Sequence, residues 1–192
     1  MATFTLETPS LARLPAYTQA LERGWSPNNV RDVSGEQLAL IRADTAGFIA
    51  SLLDPSGSIT LPDGSEVPKL PSRTGWMWDG EFCGSIGLRW QPGTNALPSH
   101  VLGHIGFAVV PWKRGHAYAA RALALMLPEA RAVGLERVEI TTEPDNFASR
   151  RTIERNGGRL VGEFINPIYG PEPKLRYVID LADTPRANTE HP

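Results

Sequence analysis

Two short segments hold most of the residues in this chain that could do chemistry. In the first, Lys113-Arg114-Gly115-His116 follows a run in which Ile105, Phe107 and Val109 alternate with Gly106, Ala108 and Val110, and Pro111 closes that run. An Ala/Leu-rich stretch begins at Ala117. A strand feeding a helix through such a turn aims unpaired backbone N–H groups and the positive end of the helix dipole at one spot, which suits a phosphate. The turn has neither the Lys-Ser/Thr of a nucleotide P-loop nor the repeated glycines of a dinucleotide fingerprint. In the second segment, Asp145-Asn146 precedes Ser149, Arg150 and Arg151, and Gly157-Gly158 closes the stretch. Asn146 suits a helix N-cap, where its side chain would accept a free N–H. His104, at the head of the first strand, titrates near neutrality when unperturbed, and Glu139 and Glu143 share strand parity with Thr141. Residues 113–159 hold nine Lys/Arg against six Asp/Glu in a chain of net charge −2, so the positive excess lies on these two segments.

Arg114-Gly115-His116-Ala117-Tyr118-Ala119 resembles the Arg/Gln-x-x-Gly/Ala-x-Gly/Ala pyrophosphate loop of the GNAT N-acetyltransferase superfamily. The stretch from Asn146 through Ser149 and Glu154 to Gly157 resembles that family's Asn-x-x-Ser-x-x-x-x-Glu-x-x-Gly helix. Together they cover about 104–165, the expected cofactor-binding core. The resemblance implies a layered α/β fold: a mixed, mainly antiparallel twisted sheet flanked by helices, its two central strands splayed. It implies acetyl-CoA as acetyl donor, no metal, and direct attack by a primary amine of a small molecule or a peptide N-terminus. The pantetheine arm would lie along Phe107, Ala108, Val109 and Val110, and the pyrophosphate on the main chain of Arg114, Gly115, His116, Ala117, Tyr118 and Ala119. Ala117 stands where the family has glycine, which restricts positive φ. Asn146 would contact the pantetheine, cap its helix, or do both, with Ser149 and Arg150 near a CoA phosphate.

The family's usual glutamate base and tyrosine acid fall at Thr141 and Ile153, which can do neither task. The expected replacements are His104 as base or relay and Glu143 as carboxylate, with Tyr169 and Tyr177 as proton donors to the thiolate. A backbone N–H near Val109 or Val110 would stabilise the oxyanion. The missing pair also motivates a second reading, a non-catalytic acyl-CoA-binding or sensing module. Homodimers are common in the resembled family.

The 192 residues, 41% of them hydrophobic, suit a single domain spanning 1–192. Cys83 is the only cysteine, so an intramolecular disulfide is excluded and a small buried residue is expected. The N-terminus lacks a signal-peptide pattern and no apolar run reaches membrane length, so a cytoplasmic protein without membrane or nucleic-acid partners is expected. Two N-terminal helices are expected over 9–53: one with Leu14, Tyr17 and Leu21 on a face and a late start or kink at Pro15, the other opening on a Ser34/Gln37 capping box. Residues 54–74 read as a long loop with a turn at Asp63-Gly64. Asp79-Gly80 reads as a type I′ hairpin turn from Trp76 to Phe82. Arg89 is an isolated cation, able to hold an acidic substrate or close a surface ion pair. Pro128 predicts a kink or break in the helix after the loop. Strands are expected over 137–142, 159–165 and 174–181, and a frayed tail over 182–192.

Overall fold

Two antiparallel half-sheets meet edge to edge at the centre of the molecule. The computed structural model describes residues 3–54, 56–61 and 64–182. In chain order these form β1 (Thr5–Glu7), α1 (Leu14–Glu22), α2 (Ser34–Ala43), α3 (Thr45–Leu53), β2 (Ser58–Thr60), β3 (Glu66–Pro68), β4 (Ser72–Trp78), β5 (Phe82–Arg89), β6 (Ile105–Val109), α4 (Tyr118–Ala132), β7 (Arg137–Thr142), α5 (Phe147–Arg155), β8 (Arg159–Phe164) and β9 (Lys174–Asp180). The first half-sheet has the order β1-β4-β5-β6 and the second β7-β9-β8, so β6 and β7 are the facing edges. Every ladder within them is antiparallel, where the resemblance implies a mixed, mainly antiparallel sheet.

Strand alternation sorts the core into two clusters. On one face Met77, Ile86, Leu88 and Ile105 pack with Leu123 and Leu127 of α4, Val138 and Ile140 of β7, and Ile153 of α5. On the other, Trp76, Phe82, Ala108 and Val110 pack under Leu14, Tyr17, Trp25 and Phe48 from the N-terminal helices. Tyr17 stacks on Trp76 with centroids 4.7 Å apart and meets the edge of Phe82 at 5.4 Å. Aromatic contacts of this kind contribute about 0.5–1.5 kcal/mol each beyond area burial. Cys83 is fully buried, and burial pushes its thiol up to about 12.

Several local expectations are corrected. The N-terminal region holds three helices rather than two, because Asp44 ends α2 and caps α3, accepting the Gly47 N–H at 2.9 Å. Ser34 is the first helical residue rather than a cap, and Gln37 instead accepts the Tyr17 hydroxyl. The late start at Pro15 is met, since α1 begins at Leu14 with proline in its first turn. The expected loop over 54–74 contains the β2–β3 hairpin, while Asp63 lies outside the described residues. Only Gly80 of Asp79-Gly80 takes positive φ, so the turn is not type I′. Its ladder instead shifts register between Met77 and Trp78. α4 runs through Pro128 without a break, holding Ala122, Leu123, Met126, Leu127 and Ala130 buried on one face. The expected tail falls almost wholly in 183–192, outside the described residues.

Candidate functional site at the splayed strands

β6 and β7 are pinned together at one level. The His104 N–H donates to the Glu139 carbonyl at 2.7 Å, and the Glu139 N–H donates to His104 Nδ1 at 2.9 Å. The approach is close enough that a Cβ on Gly103 would stand 2.9 Å from the Glu139 oxygen. Beyond the pin the two strands belong to separate half-sheets, and the gap between them is the opening.

Alternation decides which main-chain groups face that opening. Arg89 N–H donates to His104 O, and Val110 N–H to Cys83 O, so the even-numbered residues of this stretch direct these groups toward β5. The peptide groups of Ile105, Phe107 and Val109 therefore face the gap. Of the expected lining, Phe107 and Val109 offer backbone there. Ala108 sits opposite Ser85 in the β5 ladder. Val110 is corrected as an oxyanion donor, because its N–H is already bonded and the residue is fully buried. Asn29, between α1 and α2, reaches across and donates from Nδ2 to the Phe107 carbonyl at 2.9 Å.

At the far end of β6 a 3₁₀ turn, Pro111–Lys113, leads into the loop. Gly115 takes φ 84° and Ala117 φ 56°, the latter being the sole positive-φ residue other than glycine among the described residues. Alanine thus adopts the left-handed conformation that the family's glycine adopts freely, at a cost of about 1–2 kcal/mol. Among the described residues no hydrogen-bond partner is present for the N–H groups of Gly115, His116 and Ala117, which lead into α4, or of Tyr118 and Ala119, which open it. Such a run concentrates partial positive charge and suits a bound anion.

Asp79, read from sequence only as a turn residue, braces this loop. Both oxygens of its carboxylate accept from Lys113 Nζ at 3.1 Å, and Oδ2 also accepts the Tyr118 hydroxyl. Burial opposes the charge, but the bonds from Tyr118 and Lys113 hold the carboxyl at about 2. Lys113 bonds Glu81 as well, at 2.9 Å, and its pKa is raised, chiefly by that bond. Tyr118 stacks between the Phe4 ring at 5.1 Å and the His116 ring at 5.5 Å. His116 Nδ1 lies 2.9 Å from the Arg114 carbonyl, which it reaches as a donor.

The remaining predicted residues divide by what they touch. Asn146 caps α5, its Oδ1 accepting the Ser149 N–H at 3.1 Å. Arg150 is turned inward: Nη1 donates to the Pro144 carbonyl at 3.0 Å and Nε to the Tyr177 hydroxyl at 3.3 Å. Glu143 accepts Lys174 Nζ at 2.9 Å. Burial opposes its ionisation, and the Lys174 bond outweighs that to lower its pKa. Tyr177 is buried and donates to Glu154 at 3.0 Å, and Tyr169 donates to the His100 carbonyl at 2.7 Å.

His104 has no exposed surface, and burial with nearby Arg89 and Arg137 pushes its pKa down to about 4. It is therefore neutral at physiological pH. A backbone N–H can only donate, so Nδ1 is the acceptor and the ring proton sits on Nε2. A neutral imidazole in that tautomer has no free lone pair with which to take a substrate proton, which corrects the expectation of a base here.

The acetyltransferase (GNAT) domain family matches residues 63–159, half of the chain, and spans this opening and its loop. The chain belongs to the GNAT acetyltransferase family. Solved GNAT-type structures share its fold across nearly the whole length. Mycobacterium smegmatis RimJ in complex with CoA-disulfide has a TM-score of 0.68 at 20% identity, over 96% of this chain and 85% of that one. A Salmonella typhimurium acetyl transferase that modifies the N-terminal serine of ribosomal protein L7/L12 has 0.59 at 15% identity, over 94% and 96%. The microcin C7 self-immunity acetyltransferase MccE in complex with acetyl-CoA and AMP has 0.56 at 14% identity, over 92% of each. No curated protein matches the chain. Asn29 and Asp79 were invisible as GNAT site residues in the sequence, since both lie in turns and the contacts that matter span 78 and 39 positions.

Proposed function

We propose that this GNAT chain transfers an acetyl group from acetyl-CoA to a primary amine, by direct attack of the amine on the thioester. The observation that carries the reading is the continuous main-chain track from Phe107 and Val109, facing the gap, to the unpaired N–H groups of Gly115 through Ala119. The pantetheine would bond the first part as an added strand does, and the pyrophosphate the second. The Phe107 or Val109 N–H would meet the oxyanion as it forms.

The acceptor in this reading is an α-amine. A carboxylate held down by Lys174 is a weak base, and His104 supplies none, so the amine must arrive largely unprotonated. An α-amino group with a pKa of about 7.7–8.0 is substantially neutral near pH 7.5, whereas a lysine-type amine near 10.4 is about 0.1% neutral. Glu143 then receives the proton through water, and His104 positions β6 against β7 rather than touching substrate. Peptide N-termini fit this requirement. So do small α-amines.

The non-catalytic binding module remains a second reading, favoured by the full burial of Ile153 and by Thr141 at the two usual proton-transfer positions. Calorimetry with acetyl-CoA followed by mass spectrometry of pooled peptides and small amines separates the two. A product heavier by one acetyl group on an α-amine supports transfer; tight binding with no product on any amine supports the module.

A further inference from the structure

The face of the first half-sheet that carries the N-terminal helices is filled at one end by Trp76, Phe82, Ala108 and Val110. Toward the pin it is bare. Gly87 and Gly106 stand directly opposite each other on β5 and β6, with no side chains to cover the sheet. The Arg89 guanidinium lies over that bare patch: a Cβ built on Gly106 would come 3.3 Å from Arg89 Nη2. Arg89 forms no ion pair among the described residues, and the neutral phenol of Tyr169 is a neighbour. The residue is exposed at the end of β5, so the guanidinium is open to a ligand arriving from solvent. Tyr169 donates its hydroxyl to the His100 carbonyl, and the His104 carbonyl accepts the Arg89 N–H. The Nε2 atoms of His104 and His100 are buried without a partner among the described residues.

We infer that Arg89 is a specificity residue that pairs with a carboxylate of the acceptor, so that the preferred substrate is a peptide with Asp in its first two positions. This rests on the acetyl-transfer reading above. An exposed guanidinium without a counter-ion is free to take one, and a planar carboxylate matches its fork in a bidentate pair. A single cation neutralises a carboxylate but not a phosphate dianion. The placement fits as well: Gly106 precedes Phe107 and Val109 on β6, and a strand rise of about 3.3 Å per residue puts the guanidinium roughly 3–10 Å along the strand from the Phe107 and Val109 N–H groups that would meet the oxyanion. That is the reach of a side-chain carboxylate on the first or second residue.

The test compares Ser-Asp with Ser-Asn peptides and Asp-Ala with Asn-Ala peptides, on wild type, R89Q and R89K, with thermal melts to confirm folding and acetyl-CoA calorimetry as control. Wild type should favour one Asp peptide over its Asn partner by tenfold or more in kcat/KM, mainly through KM. R89Q should erase the preference without altering acetyl-CoA affinity, and R89K should retain part of it. Equal use of Asp and Asn peptides by wild type overturns the proposal while leaving acetyl transfer intact, and so does a stronger preference for a phosphoserine peptide. If no peptide is acetylated, the transfer reading fails, and the Arg89 Nε resonance decides the rest. A shift with the N-acetylated Asp peptide but not the Asn one upholds the carboxylate site, and no shift with either overturns it.

Discussion

Replacing Asp79 with asparagine tests whether one carboxylate braces the anion-binding loop. Lys113 and Tyr118 both converge on it, and its side chain is only 13% exposed. A folded-state pKa of about 2 against 3.8 in the unfolded chain corresponds to roughly 2 kcal/mol, which screening at this partly solvated site reduces to about 1–2 kcal/mol. Because the folded pKa is depressed, that stability is present above the unfolded pKa and disappears as pH falls through the folded one. Between pH 7 and pH 3 about half of it should be lost from the wild type, whereas D79N, having no such charge, should lose none on this account. Urea unfolding at both pH values measures the difference, and calorimetry should show D79N binding acetyl-CoA several-fold more weakly, since its loop is no longer held. Were the D79N deficit the same at pH 3 as at pH 7, with acetyl-CoA affinity unchanged, the bracing argument would be refuted.

Three further outcomes follow from the geometry. Ala117→Gly should alter stability by no more than about 1 kcal/mol, because relief at φ 56° is offset by the freer unfolded chain, whereas Ala117→Val should destabilise and weaken acetyl-CoA binding, as melts and calorimetry would show. Gly158→Ala should cost about 1–3 kcal/mol in urea unfolding, since its Cβ would lie 2.2 Å from Ile153 Cγ2 and 2.8 Å from the Ile153 carbonyl. His104, held near 4, should show no ring titration by NMR between pH 8 and pH 5. Because the unfolded ring titrates near 6.5, this histidine should make the protein lose stability as pH falls through that window from 6.5 to 4. A midpoint above pH 6 would contradict its burial without a counter-charge.

How much of this was legible in the sequence depended on the range of the interaction. Hydrophobic alternation and glycine stops located β6, α4, β7 and α5 nearly to the residue, because those signals are local. β1 was missed because three residues carry too little pattern, and it exists as a strand only by pairing with Met77 and its neighbours. The break at Asp44 was missed because apolar spacing continues across it through Phe48. At the site, Asn146 as a cap could be read from residue type. The tautomer of His104 could not, since it is set by a main-chain N–H 35 positions away. The inward turn of Arg150 likewise depends on Tyr177, on another strand.

The single level at which His104 joins Glu139 also bears on how the chain folds. Each half-sheet is assembled from one uninterrupted piece of sequence, strands between 5 and 109 in one case and between 137 and 180 in the other. No ladder hydrogen bonds cross between them beyond that junction among the described residues, so each piece can close its own hairpins before the two dock. The seam between them is then the last part to form and the first to part. In native-state hydrogen exchange the Glu139 amide would report that parting, at a lower opening free energy than amides in the middle of β5 or β9. Cutting the chain at Gly134, between α4 and β7, would leave two fragments that each keep a complete set of strands, and their reassociation would rebuild the cleft at the same moment as the fold.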